Sequence, residues 1–342
     1  MESSSAMKTR MGVGVMVGSQ STRLDHTFES GPTGVCHTVP MRATLRAFLE
    51  GLIDYAGLFP PARLDMGPAV AQYLRSVVGP EAWLVRRFAC PVSRLSEFGA
   101  ELPADGARGI GVTAIGRGGD SLDSFLQGLA LDLRDLESFA SEFGERAAVE
   151  CLEARTPPNA CDFEAALQAL SSAFEGDAFA EAGWEEGISD RLALIAEHPN
   201  VGAKARTGGL PDRGYPSARD LAEFLQQSID LEIPFKLTAG LHHPFCHDDP
   251  EGRRSHGFLN VLAAAALHWE HQLSVSEIAA VLEDSEPGHF RFEDTAFGWT
   301  DLSGSIETVR DLRGALLTIG SCSVDEPLED LASLGLAATQ TP

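Results

Sequence analysis

The chain has 342 residues, 44% of them hydrophobic, which is enough for a sizeable core and excludes a chain that is disordered throughout. Fifty acidic residues outnumber 26 basic ones, so the formal net charge is -24. Nucleic acid and anionic membrane surfaces would be repelled over long range and are not expected as partners. An anionic substrate would need a locally cationic pocket.

The six cysteines are widely spaced and include no C-x-x-C pair, a pattern typical of reduced thiols inside a cell. No run approaches the roughly 18 uninterrupted apolar residues that a membrane span needs, and no signal peptide is recognisable. We therefore expect a cytoplasmic protein without membrane contact, either a monomer or a homo-oligomer.

The first 40 residues are rich in Ser, Gly and Thr without a sustained period, and we expect a disordered leader ahead of Met41. From Met41 onward, short apolar runs alternate with segments of helical period, which is typical of βα units around a parallel sheet. Eight runs are predicted strands, at residues 52–57, 83–90, 109–116, 147–153, 178–182, 201–206, 234–238 and 316–320. The sequence thus predicts an α/β protein with one domain over residues 41–342, a (β/α)8 TIM barrel.

Two segments depart from the simple alternation. Residues 190–198 are apolar enough for a strand, but they lie too close to the next strand for a parallel neighbour, so we predict a helix that ends at Pro199. Residues 241–313 are too long for one crossover and predict an insertion of three helices and a small hairpin before the last strand. We expect this insertion to form a lid over the barrel mouth.

Lysine is scarce, with three residues against 23 arginines, and two of the three share a context. Lys204 and Lys236 each follow a short apolar run that closes on glycine, as at the end of a barrel strand. A genome-wide preference for arginine explains the scarcity of lysine but not the shared context. Unlike arginine, lysine can lose its proton near neutral pH and attack a carbonyl, so this pair predicts catalytic lysines.

Because alternate side chains of a strand share a face, Lys204 and Arg206 point the same way, and so do Lys236 and Thr238 on their own strand. If the two strands are neighbours, repulsion between the ammonium groups and partial desolvation would lower a lysine pKa and supply a free amine. Arg206 could add to that repulsion, or it could bind the anionic end of a substrate through two hydrogen bonds.

The last predicted strand closes on Gly320, Ser321, Cys322 and Ser323, ahead of a helical segment. Small residues before a helix expose backbone N–H groups that can bind a phosphate or a carboxylate. The alternative is a plain turn, since Gly-Ser turns are common.

Three segments carry a resemblance to a known family: 204–208 (KARTG), 236–240 (KLTAG) and 319–323 (IGSCS). They resemble the sixth, seventh and eighth strands of deoxyribose-phosphate aldolase, a class I aldolase of TIM-barrel fold. The resemblance implies that Lys204 forms a Schiff base, that Lys236 perturbs it, and that Ser321 and Ser323 bind phosphate. It also implies an acid on an inner strand, for which Glu153 is the first candidate and Glu181 and Asp54 are the next.

A second likeness extends beyond these segments. Together with 57–61 (GLFPP), the same motifs resemble a set of bacterial proteins to which no reaction is assigned, so this likeness implies no substrate. The predicted substrate-binding and anion-binding residues are Arg206, Thr207, Gly208, Thr238, His243, Gly320, Ser321 and Ser323.

Histidines are concentrated after the seventh predicted strand, where His242 and His243 would stand at the catalytic rim. We expect one of them to act as a general acid or base. Two alternatives stay open: a divalent metal bound by His242, His243 and His247, or ordinary loop residues.

The expected function is a Schiff-base aldol cleavage, condensation or related lyase step on a small carbonyl compound, with or without a phosphate. Lys204 would be the nucleophile, Lys236 its pKa partner, and Glu153, His242 or Asp54 the acid or base, without any cofactor. One alternative is a metal-dependent TIM-barrel lyase, isomerase or hydrolase that uses the histidines. Another is a barrel that binds an anion without turnover.

Overall fold

Eight parallel strands form the centre of the molecule in a computed structural model that describes residues 41–104, 109–184, 187–208, 215–249 and 252–337. The predicted leader, residues 1–40, lies outside the described residues. The strands are β1 (Ile53–Tyr55), β2 (Val85–Pro91), β3 (Ile110–Ile115), β4 (Ala147–Arg155), β5 (Asp177–Glu181), β6 (Val201–Arg206), β7 (Phe235–Thr238) and β13 (Leu316–Ser321).

These strands close into a barrel in the order β1, β13, β7, β6, β5, β4, β3, β2. Every neighbouring pair is parallel. The predicted (β/α)8 TIM barrel is therefore confirmed, and all eight predicted strand positions carry a barrel strand. The predicted strand ends differ by a few residues; β4, for example, continues to Arg155.

Helices connect the strands on the outside of the barrel. They are α1 (Ala43–Leu49), α2 (Met66–Val78), α3 (Leu95–Glu101), α4 (Leu122–Phe143), α5 (Ala160–Ala173), α6 (Ile188–Ala196), α7 (Ala218–Asp230), α8 (Phe258–His271), α9 (Val275–Glu283), α10 (Ile306–Ala315) and α11 (Asp325–Ser333). Helix α6 confirms that the apolar segment before β6 is helical. Helix α7 begins at Ser217, which forms a reciprocal capping box with Asp220.

Outward-facing aromatic side chains hold the helices against the strands. Tyr55 of β1 stacks on Tyr73 of α2, and Phe88 of β2 stacks on Phe98 of α3 with ring centroids 4.7 Å apart. Because side chains alternate along a strand, the residues next to these aromatics point into the barrel. Asp54 and Arg87 are therefore inward-facing, and both are buried.

The insertion between β7 and β13 begins with a two-stranded ribbon, β8 (His247–Asp248) and β9 (Arg254–Ser255), and later forms a sheet of β10 (Phe290–Phe292), β11 (Ala296–Trp299) and β12 (Leu302–Ser305). Helix α8 starts at the rim, where Phe258 N donates to His243 O, and ends where His268 contacts Asp230 at the end of α7.

Helices α8 and α9 both pack against α7, and the three-stranded sheet packs against α1. These elements lie in the helical layer beside the barrel, and they do not form the lid over the mouth that the sequence suggested. The physical reason is that α8 is buried along nearly its whole length and packs against α7 and α9.

Candidate active site in the barrel interior

The two unusual lysines meet inside the barrel. Strands β6 and β7 are neighbours, and Lys204 and Lys236 occupy paired positions in their register. The side chain of Lys204 is 6% exposed and that of Lys236 is 0% exposed. Both ammonium groups are thus withdrawn from solvent, and Lys204 keeps the greater access to it.

Glu153 of β4 bridges the two lysines. Its Oε1 lies 2.7 Å from Lys236 Nζ, and its Oε2 lies 3.0 Å from Lys204 Nζ. Lys204 has a second carboxylate partner, because Glu181 Oε2 of β5 lies 3.2 Å from the same nitrogen. The side chain of Glu181 is 15% exposed, so this end of the cluster is the one nearest to solvent.

Asp54 of β1 completes the cluster at its buried end. Its Oδ2 lies 2.6 Å from Lys236 Nζ and accepts hydrogen bonds from Thr113 (2.7 Å) and Thr318 (2.9 Å). Its Oδ1 has no hydrogen-bond partner among the described residues, and Arg87 Nη1 lies 3.9 Å from it. The pairing of Asp54 with Arg87 is therefore looser than its contact with Lys236.

The lysines are held in their charged form. Burial alone would lower the pKa of Lys204, but Glu153 and Glu181 outweigh it and raise the pKa above its ordinary value. Burial also works against the charge of Lys236, and Asp54, Cys151 and Glu153 together raise its pKa. The expectation of a lowered lysine pKa is therefore wrong for this arrangement, because carboxylates stand between and beside the two ammonium groups.

Glu153 is ionised by the same contacts. Burial would raise its pKa, but the charges of Lys236 and Lys204 and their hydrogen bonds lower it to about 2. A carboxylate in this position is a poor proton acceptor while both lysines are charged. It is well suited to hold the two ammonium groups in fixed positions.

Arg206 stands further along β6 than Lys204, at the end of the strand where barrel mouths lie. Its register partner is Thr238 of β7. The Nε atom of Arg206 is buried without a hydrogen-bond partner among the described residues. Arg206 is thus a cation beside Lys204 with unused donor capacity.

Thr207 and Gly208 stabilise the loop after β6. Thr207 is 1% exposed, and its N and Oγ1 donate to Thr238 O and Ala239 O respectively. A Cβ on Gly208 would approach Gly240 Cα to 2.8 Å, so only glycine allows the two loops to pass this closely. These contacts assign both residues a structural part in the loop.

The serine hydroxyls of the turn after β13 are hydrogen-bonded within the turn and to the helix that follows it. Ser321 is 1% exposed; its Oγ donates to Ser323 O (2.7 Å) and accepts from Ser323 N (3.3 Å). Ser323 Oγ accepts from Glu326 N in the first turn of α11 (3.1 Å). Gly320 pairs in register with Thr238 and Asp54, which keeps this strand end close to the lysine cluster.

The rim histidines face acidic side chains of α11. His242 Nδ1 lies 3.3 Å from Glu326 Oε2, and His243 Nδ1 lies 2.6 Å from Asp330 Oδ2. Burial lowers the pKa of His242 in spite of the neighbouring Glu326. His247 packs edge-on against His243 with ring centroids 4.5 Å apart.

Within the described part of the chain, no group of three or more His, Cys, Asp or Glu side chains has an arrangement that could hold a metal ion. His242, His243 and His247 are therefore not brought together as metal ligands.

Three residues of the cluster were not predicted from the sequence. Thr113 and Thr318 both donate to Asp54, and Cys151 Sγ lies 3.5 Å from Lys236 Nζ. Thr113 and Cys151 are neighbours in the register of β3 and β4. All three lie in or next to predicted strands, but an uncharged residue in an apolar run carries no signal for chemistry.

The fold and this cluster define a TIM barrel with a buried chain of alternating carboxylates and lysines. No family model matches the chain, and no curated protein matches it. Among the helices of the described residues, none combines the length and the apolar character required to cross a membrane.

Proposed function

We propose that this barrel is a class I aldolase-like lyase that acts on a small carbonyl compound through an imine on Lys204. The observation that carries the proposal is the position of Lys204 Nζ, between Glu153 (3.0 Å) and Glu181 (3.2 Å) at the more exposed end of the cluster. A lysine that only neutralised one buried acid would need neither the second carboxylate nor the neighbouring lysine.

Glu181 is the better acceptor for the proton that Lys204 must release. Glu153 contacts both lysines, so its protonation would leave two ammonium groups without their shared carboxylate. Glu181 contacts only Lys204 among the cations of the described residues, so its protonation costs less. The freed amine attacks the carbonyl carbon, and the carbonyl oxygen leaves as water after it accepts two protons.

Imine formation conserves the charge of the cluster. A lysine ammonium and a neutral carbonyl give one protonated imine and one water, so the positive charge stays between Glu153 and Glu181. The protonated imine then accepts the electron pair of the breaking C–C bond, while a base takes the proton from the substrate hydroxyl and an aldehyde leaves. Protonation of the resulting enamine and hydrolysis return the lysine.

Lys236 is a positioning residue in this scheme. It is 0% exposed and is fixed by Asp54 (2.6 Å) and Glu153 (2.7 Å). Its charge keeps Glu153 ionised and oriented toward Lys204. A substrate that approaches from the mouth reaches Lys204 first.

Borohydride reduction of the full-length protein with a panel of aldehydes, ketones and oxo acids tests the proposal. A reduced imine on the Lys204 peptide, located by mass spectrometry, is the expected result. Lys204→Arg keeps the charge and should lose the adduct, while circular dichroism verifies the fold. An adduct on Lys236, or no adduct with any carbonyl compound, would overturn the proposal. Ligand binding without an adduct would favour a barrel that binds without turnover.

A further inference from the structure

Arg206 differs in its partners from two other arginines, one on a barrel strand and one in a loop that follows a strand. Arg87 pairs with Glu150 (2.6 Å), and Arg117 pairs with Asp132 and Asp135. Arg206 pairs with no carboxylate of the described residues, and its buried Nε has no hydrogen-bond partner. The chain has 50 acidic residues, yet none of those described pairs with Arg206. A buried donor without a partner costs free energy of folding unless a ligand accepts its hydrogen bond.

We infer that Arg206 binds a carboxylate of the substrate, and that the substrate is a short oxo acid that carries one carboxylate. This inference rests on the proposed imine chemistry at Lys204. It adds the anionic group that the site selects and the residue that selects it.

The spacing along β6 sets the size of the substrate. Lys204 and Arg206 are two positions apart on one face of the strand, so their Cα atoms are about 7 Å apart. Alternation along the strand turns both side chains to the inner face of β6, with Arg206 nearer to the mouth. A carboxylate on Arg206 and a carbonyl carbon at Lys204 Nζ are therefore separated by only a few bonds.

A carboxylate fits this site better than a phosphate. The guanidinium of arginine can form two parallel hydrogen bonds with either anion, so the surroundings of Arg206 decide between them. The turn that was expected to bind phosphate has its serine hydroxyls engaged within the turn and the helix cap, and Asp325 and Glu326 follow it directly. A phosphate dianion at this turn would meet their negative charge.

Charge balance leads to the same choice. The carboxylates of Asp54, Glu150, Glu153 and Glu181 match four cations, Arg87, Lys204, Lys236 and Arg206. A monocarboxylate leaves the mouth with one excess negative charge, and a dianion leaves two. Repulsion inside a partly desolvated site makes the second charge expensive.

Trapping with three carbonyl compounds of similar size tests the inference: pyruvate, neutral hydroxyacetone and dihydroxyacetone phosphate. Pyruvate should be trapped fastest by the wild-type protein. Arg206→Gln should slow trapping of pyruvate about 10- to 100-fold, the loss expected for a charged hydrogen-bonded pair, and should change trapping of hydroxyacetone less than about threefold. Arg219→Gln, on the exposed start of α7, removes the same charge elsewhere and should leave both rates unchanged.

A carboxylate without a carbonyl separates this inference from the imine proposal. Calorimetry with lactate should show binding to the wild-type protein and to Lys204→Arg, and a loss of at least about tenfold in affinity in Arg206→Gln. Lactate binding without any trapped adduct would refute the imine and keep the carboxylate site. Adducts that form equally with hydroxyacetone and do not depend on Arg206, or faster trapping of the phosphorylated compound, would overturn the carboxylate site and keep the imine.

Discussion

Replacement of Glu153 by glutamine tests the cluster with the smallest change of shape. Glu153 accepts from Lys236 Nζ at 2.7 Å and contacts Lys204 Nζ at 3.0 Å. The glutamine amide has one oxygen, so one of the two ammonium groups would face an NH2 group. The substitution therefore removes a buried negative charge and places a hydrogen-bond donor next to the ammonium group of one lysine.

The loss of stability should be large. Removal of one partner from a buried ion pair costs about 3–5 kcal/mol. Lys204 keeps Glu181 and Lys236 keeps Asp54, so we expect the lower end, about 3 kcal/mol. At about 2 °C for each kcal/mol in a protein of this size, Tm should fall by about 6 °C.

Denaturant unfolding and thermal melting of wild type and Glu153→Gln measure this difference. Glu307→Gln is the matched control, because Glu307 is 71% exposed and its contact with Arg310 is long, at 3.8 Å. We expect no measurable change in the control. A Glu153→Gln protein within about 1 kcal/mol of wild type would refute the view that this carboxylate holds two charged lysines.

Two further predictions concern pH and backbone packing. Because the pKa of Glu153 is lowered to about 2, its stabilisation is complete above its ordinary value near 4.5 and is lost as pH falls toward 2. The stability difference between wild type and Glu153→Gln should therefore shrink over that interval in acid unfolding, and a constant difference would contradict the assignment. Gly208→Ala places a Cβ 2.8 Å from Gly240 Cα and should cost about 1–3 kcal/mol and slow imine trapping, whereas Gly320→Ala, with 3.5 Å to its nearest atom, should cost less. Equal melting temperatures for the two alanine variants would argue against this packing.

The fold could be predicted because strand and helix periods are local properties of the sequence. All eight barrel strands coincide with apolar runs, and α6 was separated from a strand by the length that a parallel crossover needs. The insertion lies where the sequence predicted it along the chain, but it packs beside the barrel instead of over the mouth, and this has a physical reason. The sequence of α8 is apolar all round, which indicates burial between other elements rather than a place over an open mouth.

The membership of the cluster was predictable in part. The two lysines were expected to lie close together if their strands were neighbours, and the resemblance implied Glu153, Glu181 or Asp54 as an acid of the site; all of these residues belong to the cluster. The direction of the lysine pKa was not predictable, because it depends on which charges lie nearest. Sequence spacing shows that two lysines are neighbours, but not that Glu153 reaches between them.

The contacts of Asp54 depend on closure of the barrel even more than those of Glu153 do. Thr113 and Thr318 come from strands on different sides of the interior, and both donate to the same carboxylate oxygen. No local pattern joins residues so distant in sequence. Register and barrel geometry decide such contacts, and these follow only from the complete fold.

Oxygen exchange tests the central claim most directly, since every cycle of imine formation and hydrolysis exchanges the carbonyl oxygen with water. Pyruvate and hydroxyacetone labelled with ¹⁸O would be incubated with wild type, Lys204→Arg and the Arg219→Gln control, and the loss of label followed by mass spectrometry. We predict exchange well above the uncatalysed rate in wild type and the control, and none above it in Lys204→Arg. Exchange that persists in Lys204→Arg, or an uncatalysed rate in wild type with both compounds, would contradict an imine on Lys204.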